Sequence, residues 1–220
     1  MRYLGLALYA EGPTDYHFLR PLLQRLCEEL CASEALAPVE VSEVLALNHP
    51  VETNQEAREQ RVLAAAKEAR GSWRILFVHA DGANDPMRAR DEQVEPSLGL
   101  LRDAFESEGI GVAVVPVRET EAWAIADGDA IRSAFGTNLD DAQLGVPPRR
   151  AVETTADPKA VLQAAFLATK PSGRRRKQGT SPYLNTLGEA VSLDQLCELG
   201  AFKRLTDELR AALKQLQILG

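Results

Sequence analysis

The first 130 residues alternate short apolar runs with amphipathic stretches, whereas the rest of the chain shows amphipathic stretches alone. An apolar run of strand length that ends at Gly, Pro or an acid predicts a buried strand, and apolar residues three and four apart predict a helix. The predicted strands cover residues 3–10, 38–47, 73–80 and 112–117, and the predicted helices cover residues 15–30, 55–70, 93–108, 157–169 and 193–219. Strands that alternate with helices predict an α/β protein with a mostly parallel sheet flanked by helices.

The absence of strand patterns after the fourth predicted strand divides the chain in two. We predict an α/β domain of residues 1–130 and a helical extension of residues 131–220 packed on it. Within the extension, the Pro-, Ser- and Gly-containing segment 170–182 is predicted to be a basic loop. Near the start of the chain, Thr14 is predicted to cap the first helix, and Pro21 to kink it or delay its first turn.

The composition is ordinary for a globular protein, with 45% hydrophobic and 26% charged side chains in 220 residues. No apolar run approaches the roughly 20 residues of a membrane span. The N-terminal run is too short for a signal peptide, and an acid follows it where a cleavage site needs small residues. The three cysteines form no Cys-x-x-Cys pair, which argues against a structural zinc site. We therefore expect a cytoplasmic protein without membrane contact.

The charge is unevenly distributed along the chain. A net charge of −7 argues against a protein that coats nucleic acid, yet residues 159–188 contain six basic residues and no acid. Five of them form a strip that we predict to bind a nucleic-acid backbone: Lys170, Arg174, Arg175, Arg176 and Lys177. Arginine suits this role because its guanidinium group pairs with phosphate through two hydrogen bonds. A solvated loop without a ligand is the alternative interpretation of the same run.

Carboxylates follow three of the predicted strands at the points where the strands end. They are Glu11, the pair Asp81 and Asp85, and the pair Glu119 and Glu121. Because parallel strands end at one edge of a sheet, we expect these side chains to converge there. Oxygen ligands of this kind bind Mg²⁺, and divalent ions serve phosphodiester cleavage. Acids also form turns and helix caps at strand ends, so each of them has a structural alternative.

One histidine lies beside these acids. His79 ends the apolar strand of residues 73–80 and precedes Asp81 by two positions. An imidazole group can accept or donate a proton near neutral pH, so His79 is a candidate base or a hydrogen-bond donor to phosphate. A half-buried histidine that only satisfies its neighbours is the alternative. His17 and His49 have no ligand-like spacing to acids, and we expect both to be structural or surface residues.

Four motifs carry a resemblance to a known family. They are Glu11-Gly12-Pro13-Thr14; Val78-His79-Ala80-Asp81-Gly82; Val115-Pro116-Val117-Arg118 with Glu121-Ala122-Trp123; and the Arg-rich segment followed by Pro182-Tyr183-Leu184. The first two resemble the Toprim fold, whose signature is a strand-ending Glu-Gly and then a strand-ending Asp-x-Asp. The combination resembles, nearly end to end, the Toprim-like bacterial family called domain of unknown function 4276, which is related in fold to the overcoming-lysogenization-defect nucleases. The resemblance implies a Toprim-like, Rossmann-like α/β domain.

The resemblance also implies roles for individual residues. Glu11 would be the general acid/base or a metal ligand, and Asp81 would be a metal ligand. Glu119 and Glu121 would be further acids at the site. The strict Asp-x-Asp pattern needs a carboxylate at position 83, where this chain has alanine, so Asp85 would have to substitute for it.

Together, these features predict a nuclease that uses Mg²⁺ or Mn²⁺ to cleave phosphodiester bonds, with Glu11, His79 and Asp81 as catalytic residues. The resemblance implies bacterial defence against phage or foreign DNA, with DNA as the nucleic-acid partner. The chain has no Gly-x-x-x-x-Gly-Lys-Ser/Thr loop, so an ATPase partner would be a separate subunit. One alternative is a non-catalytic adaptor or effector-recognition subunit of such a complex, and another is metal-dependent phosphotransfer on a small molecule. The sequence leaves the oligomeric state open.

Overall fold

In the computed structural model, which describes residues 2–220, four parallel strands form a sheet. They are β1 (Arg2–Tyr9), β2 (Val39–Ala46), β3 (Ile75–His79) and β4 (Ile110–Val114), in the spatial order β2-β1-β3-β4. The predicted α/β class, with a parallel Rossmann-like sheet flanked by helices, is confirmed. Because all four strands run in one direction, their carboxyl ends share one edge of the sheet.

Helices cover the sheet and form the C-terminal region. They are α1 (Pro13–Glu34), α2 (Arg58–Glu68), α3 (Pro86–Ala89), α4 (Glu95–Phe105), α5 (Glu121–Ala124), α6 (Gly128–Phe135), α7 (Asp141–Leu144), α8 (Pro158–Ala168), α9 (Gly173–Gln178), α10 (Leu184–Ala190), α11 (Leu193–Cys197) and α12 (Gly200–Gln215). Short 3-10 turns occur at Val51–Thr53, Arg149–Thr154 and Ser181–Tyr183, and a π-helical turn at Arg90–Val94 precedes α4. Within residues 2–220, no helix is both long and apolar enough to cross a membrane.

Strand β1 lies between β2 and β3 and is buried from Leu4 onward, because helices cover both faces of the sheet. Its side chains alternate between two cores. Leu6 and Leu8 belong to the larger core, which also includes residues of α1 and of the C-terminal helices. Ala7 and Tyr9 belong to the smaller core with α2 and α4. The larger core is continuous from the sheet into the C-terminal helices.

The first helix starts earlier than the sequence predicts. α1 begins at Pro13 with Gly12 at its N-cap, because the Asp15 carboxylate accepts a hydrogen bond from Gly12 N at 2.9 Å. The predicted cap at Thr14 is therefore wrong. The helix then continues through Pro21, so this proline does not delay the first turn.

The long helix predicted for residues 193–219 is two helices, α11 and α12. Between them, Leu199 has an extended backbone conformation. The Glu153 carboxylate accepts hydrogen bonds from the N–H groups of Gly200 and Ala201 at 3.0 and 2.8 Å. A side chain from a distant segment thus caps α12, which the local hydrophobic pattern does not reveal.

One edge of the sheet is closed by a side chain of α12. β4 is an edge strand and ends at Val114 rather than at the predicted residue 117. Glu208 accepts a hydrogen bond from Ala113 N at 2.9 Å, and its other oxygen lies 2.7 Å from Arg90 Nη1. This carboxylate therefore accepts from a backbone N–H group that would otherwise be free to pair with a further strand, and it anchors α12 to the sheet.

A candidate metal centre at the carboxyl edge of the sheet

The strands β1 and β3 are neighbours, and the segments that follow them supply the polar side chains of the candidate site. After β1, the chain passes through Glu11 into α1, whose first turn carries Asp15. β3 ends at His79, and Asp81 follows directly in the loop. Because both strands end at the same edge, Glu11, Asp15, His79 and Asp81 all lie at the carboxyl edge of the sheet.

His79 lies between two carboxylates. Its Nδ1 is 3.9 Å from Asp15 Oδ2, and its Nε2 is 3.5 Å from Asp81 Oδ1. One potential ligand atom from each of the three residues lies within 4.8 Å of the others. The His79 side chain is completely buried, whereas 42% of the Asp81 side chain is exposed. The cluster therefore connects the protein interior with the open crevice at the sheet edge.

A buried threonine connects the members of this cluster. Thr120 Oγ1 donates a hydrogen bond to Asp15 Oδ1 at 3.0 Å and lies 3.2 Å from His79 Nε2. Because the hydroxyl proton goes to the carboxylate, the hydroxyl oxygen accepts from the N–H group at Nε2. A neutral imidazole in this network would carry its proton on Nε2 and present a lone pair at Nδ1.

Two buried atoms of the cluster, His79 Nδ1 and Asp81 Oδ1, have no hydrogen-bond partner. Unpaired buried polar atoms are rare, and a missing ion or water is one of their common explanations. A divalent cation bound by these residues would receive an imidazole nitrogen and carboxylate oxygens. Mg²⁺ prefers oxygen ligands alone, whereas imidazole suits transition metals and carboxylate suits Mn²⁺. The residues therefore fit a divalent cation, and Mn²⁺ matches the donor set better than Mg²⁺.

Glu11, the predicted acid/base and ligand, lies beside the cluster and pairs with an arginine. Its carboxylate is 3.3 Å from Arg58 Nη1, and 33% of its side chain is exposed. The same guanidinium group donates from Nε to Gln93 O at 3.1 Å and from Nη2 to His79 O. Arg58 thus joins the turn after β1 to the end of β3, and it holds Glu11 at the crevice.

Two other predicted ligands cap helices. Asp85 Oδ1 accepts a hydrogen bond from Arg88 N at 3.0 Å at the start of α3. Glu119 Oε1 accepts one from Lys159 N at 2.9 Å in the first turn of α8. Neither carboxylate joins the cluster around His79. Both satisfy N–H groups that the start of a helix leaves unpaired.

Glu121 is partly buried at the rim of the cluster. Its side chain is 12% exposed, in a narrow cleft that Asp15 and Thr120 also line. Burial, together with the negative charges of Glu119 and Asp15, raises the pKa of Glu121 above the ordinary carboxyl value. Lys159 Nζ, 3.9 Å away, opposes this shift. Glu121 therefore keeps its proton to a higher pH than a surface acid does.

The loop after β3 is held tightly against the segment after β4. Ala83 and Arg118 exchange backbone hydrogen bonds of 2.9 and 3.1 Å, and both have positive φ angles, 45° and 69°. A Cβ atom on Gly82 would lie 2.1 Å from Pro116 O, so the close approach requires glycine. These contacts fix the loop that carries Asp81, although position 83 itself has no carboxylate.

The predicted nucleic-acid-binding residues lie on and just before α9, which is a helix where the sequence predicts a loop. Arg175 is turned inward, donates to Tyr183 OH at 2.9 Å and Phe135 O at 2.5 Å, and lies over the Phe166 ring. The other four residues are exposed and form no ion pair within residues 2–220: Lys170, Arg174, Arg176 and Lys177. The basic strip therefore consists of one structural arginine and four solvent-exposed cations.

Sequence reasoning missed three residues of the site: Asp15, Arg58 and Thr120. An acid such as Asp15 is common in the first turn of a helix, so its position alone does not indicate a site. Only its place in the Glu-Gly-Pro-Thr-Asp motif could have identified it. Thr120 lies between two acids that the sequence singles out, but a threonine there has no pattern of its own. Arg58 begins an amphipathic helix far from Glu11 in the chain, and nothing in the sequence connects the two.

The fold and the site define an α/β protein with a carboxylate–histidine cluster at the carboxyl edge of a parallel sheet. Residues 10–210 match the protein family described as domain of unknown function (DUF4276), and the chain belongs to this family. The resemblance to this family that the motifs indicate is therefore confirmed. No curated protein and no solved structure matches the chain.

Proposed function

We propose that the protein is a divalent-metal-dependent nuclease of the Toprim type, which cleaves phosphodiester bonds in DNA. The observation that carries this proposal is the convergence of Asp15, His79 and Asp81, with an unpartnered buried atom on each of the last two. A divalent ion, when bound, lowers the pKa of bound water and stabilises charge on the phosphate. The remaining chemistry rests with the side chains around the cluster.

Two glutamates beside the cluster are suited to proton transfer. Glu11 is partly exposed, and Arg58 holds its carboxylate in place, so Glu11 is the candidate general base. Burial raises the pKa of Glu121, which makes it the candidate acid for the leaving oxygen. Thr120 holds the Asp15 carboxylate and contacts His79 Nε2, so we assign it a positioning role.

Four exposed cations support a nucleic-acid partner: Lys170, Arg174, Arg176 and Lys177. A protein with a net charge of −7 needs a local basic patch to hold a polyanion. Binding through this patch should weaken as salt rises, because each neutralised phosphate releases counterions. From the family resemblance we further propose a role in bacterial defence against phage or foreign DNA, with any ATPase on a separate subunit.

The test is cleavage of supercoiled plasmid and of single-stranded DNA, with Mn²⁺ or Mg²⁺, by wild type, Asp81→Asn and Asp85→Asn. Both substitutions remove one charge from the same loop, and asparagine still caps a helix, but only Asp81 belongs to the cluster. We expect Asp81→Asn to lower the cleavage rate about 100-fold or more, and Asp85→Asn to change it less than about threefold. Equal rates for wild type and Asp81→Asn would refute the metal centre. No cleavage by wild type with either ion would refute the nuclease.

A second candidate is a non-catalytic adaptor or effector-recognition subunit of a defence complex. Two observations favour it: the Glu11 carboxylate is paired with Arg58, and position 83 in the loop after β3 lacks a carboxylate. This candidate predicts that wild type binds Mn²⁺ in a calorimetric titration without cleaving DNA, whereas the nuclease requires both binding and cleavage.

A further inference from the structure

A pocket of about 490 Å³ opens beside Glu11 at the carboxyl ends of β1 and β2. Its walls include Tyr9, Glu11, Tyr16, His49, Arg58 and Arg61. Small-molecule sites typically occupy about 300–1,000 Å³, so the pocket has the size of a ligand site. Because Glu11 lines it, a group bound in the pocket would lie next to the candidate general base.

Hydrogen bonds within the protein hold the aromatic walls of this pocket in place. Tyr9 OH pairs with His49 Nδ1 at 2.8 Å, and His49 Nε2 pairs with Asn54 Oδ1 at 2.8 Å. Tyr16 OH donates to Leu47 O at 2.6 Å. The polar atoms of these rings are therefore already satisfied. The Tyr9 ring is buried and supports His49, whereas the partly exposed rings of Tyr16 and His49 present fixed flat surfaces to the pocket. Such surfaces stack with nucleobases of any type.

The two arginines of the pocket differ in their partners. Arg58 directs its donors to Glu11 and to two backbone carbonyls. Arg61, about one turn later on α2, forms no ion pair within residues 2–220, and its Nε is buried without a hydrogen-bond partner. Burial raises the pKa of Tyr9, and the nearby positive charge of Arg61 opposes that shift. A guanidinium group with unmet donors at a pocket wall is suited to bind phosphate.

We propose that this pocket binds a nucleoside monophosphate unit, with the phosphate on Arg61 and the base against the rings of Tyr16 and His49. The proposal rests on the nuclease function, because it makes the pocket the subsite for the nucleotide next to the cleaved bond. The unit is a free nucleotide or the end of a DNA strand, since both present the same phosphate and base. A pocket of this size favours a single nucleotide over a length of duplex.

The test is calorimetric titration, in EDTA, of inorganic phosphate, dAMP and a 5′-phosphorylated oligodeoxynucleotide into the full chain. The variants are Arg61→Gln, Arg61→Lys and the control Lys67→Gln, which removes a charge from the exposed side of the same helix. We expect dAMP to bind about tenfold or more tightly than inorganic phosphate, because stacking adds to the phosphate contact. Arg61→Gln should weaken dAMP binding about tenfold or more, Arg61→Lys less, and Lys67→Gln less than about twofold.

Equal dAMP binding by wild type and Arg61→Gln, with both folded by circular dichroism, would overturn the proposal. If Arg61→Gln does not fold, unchanged dAMP binding by Arg61→Lys overturns the proposal instead, because lysine cannot form the two parallel hydrogen bonds that an arginine makes with phosphate. Equal affinities for dAMP and inorganic phosphate would also overturn it, because the rings would then add nothing. Tighter binding of the oligonucleotide than of dAMP supports the proposal with a strand end as ligand, and the reverse supports it with a free nucleotide.

The pocket and the nuclease can fail separately. The titration in EDTA needs no metal. Arg61-dependent dAMP binding by a protein that cleaves no DNA would therefore support the nucleotide site and refute the nuclease. Conversely, Mn²⁺-dependent cleavage with the same rate and KM in wild type and Arg61→Gln would support the nuclease and refute the nucleotide site.

Discussion

The hydroxyl group of Thr120 offers the sharpest test of the cluster. Thr120→Val keeps the shape of the side chain but removes the donor to Asp15 Oδ1 and the acceptor for His79 Nε2. A hydrogen bond to a charged group contributes about 1.5–3 kcal/mol, and an unpaired buried N–H costs about 1–3 kcal/mol. Because the Asp15 side chain is 14% exposed, water can replace part of the first contact. We therefore expect a loss of about 3 kcal/mol in the free energy of unfolding.

Thr206→Val is the matched control for this measurement. Thr206 is 7% exposed and Thr120 3% exposed, so both hydroxyl groups are buried. The Thr206 hydroxyl donates to Phe202 O in the preceding turn of α12 and contacts the Cys197 thiol, a weak hydrogen-bonding group. Its removal should cost about 1 kcal/mol or less.

Thermal unfolding and Mn²⁺ titration of the two variants distinguish the outcomes. For a chain of this length, each kcal/mol lowers Tm by about 2–4 °C, so Thr120→Val should melt about 6–12 °C below wild type. Its Mn²⁺ affinity should fall about tenfold or more, because Thr120 positions two ligands, whereas Thr206→Val should bind Mn²⁺ like wild type. Equal losses of Tm in the two variants would refute the hydrogen-bond network that we assign around His79.

Four other substitutions test the site and its surroundings. Gly82→Ala places a Cβ 2.1 Å from Pro116 O, so we expect a loss of about 1–3 kcal/mol in urea unfolding, and an unchanged midpoint would contradict the close approach. Burial raises the pKa of Glu121, so the folded protein binds this proton more tightly than the unfolded chain, and stability falls as pH rises from the ordinary carboxyl pKa through the raised one. Glu121→Gln should therefore melt above wild type at neutral pH and depend less on pH, whereas parallel pH profiles of Tm would argue against the shift. Arg175→Ala should lose about 2–3 kcal/mol because it removes two hydrogen bonds and ring contacts, whereas Arg176→Ala should stay within about 0.5 kcal/mol of wild type in the same denaturation. Equal losses of stability in Arg175→Ala and Arg176→Ala would contradict the structural role that we assign to Arg175.

The strands could be predicted from the sequence because their signals are local. Runs of apolar residues with Gly, Pro or an acid at their ends identify β1 and β3, and the alternation of Val39, Val41 and Val44 with polar residues identifies β2, without reference to the rest of the chain. The differences occur where distant groups decide the outcome. Glu153, which belongs to another segment, caps the start of α12. Arg175 packs against Phe135 and Phe166 in a helix, where composition alone indicates a loop.

The site could be predicted only where its residues are close in the sequence. His79 and Asp81 belong to one motif at the end of one strand, and the structure brings them together. Thr120 and Asp15 are 105 positions apart, so their hydrogen bond depends on how the sheet is assembled. Whether a strand-ending acid binds a metal, caps a helix or pairs with an arginine is likewise decided by segments that approach it in the fold.

The Glu208 carboxylate on the edge of β4 bears on how copies of this protein would aggregate. Free edge strands are templates on which a strand from another molecule can pair. At β4, Ala113 N is already bonded to Glu208, so a foreign strand would have to break that bond and the Glu208–Arg90 pair. The opposite edge, β2, carries Leu45 with 43% of its surface exposed. At β2, Val44 O in turn accepts a hydrogen bond from Arg20 Nε at 2.6 Å, so side chains of α1 and α12 obstruct strand pairing at both edges. Glu208→Ala would remove the obstruction at β4 and make that edge the easier one for a foreign strand to pair with.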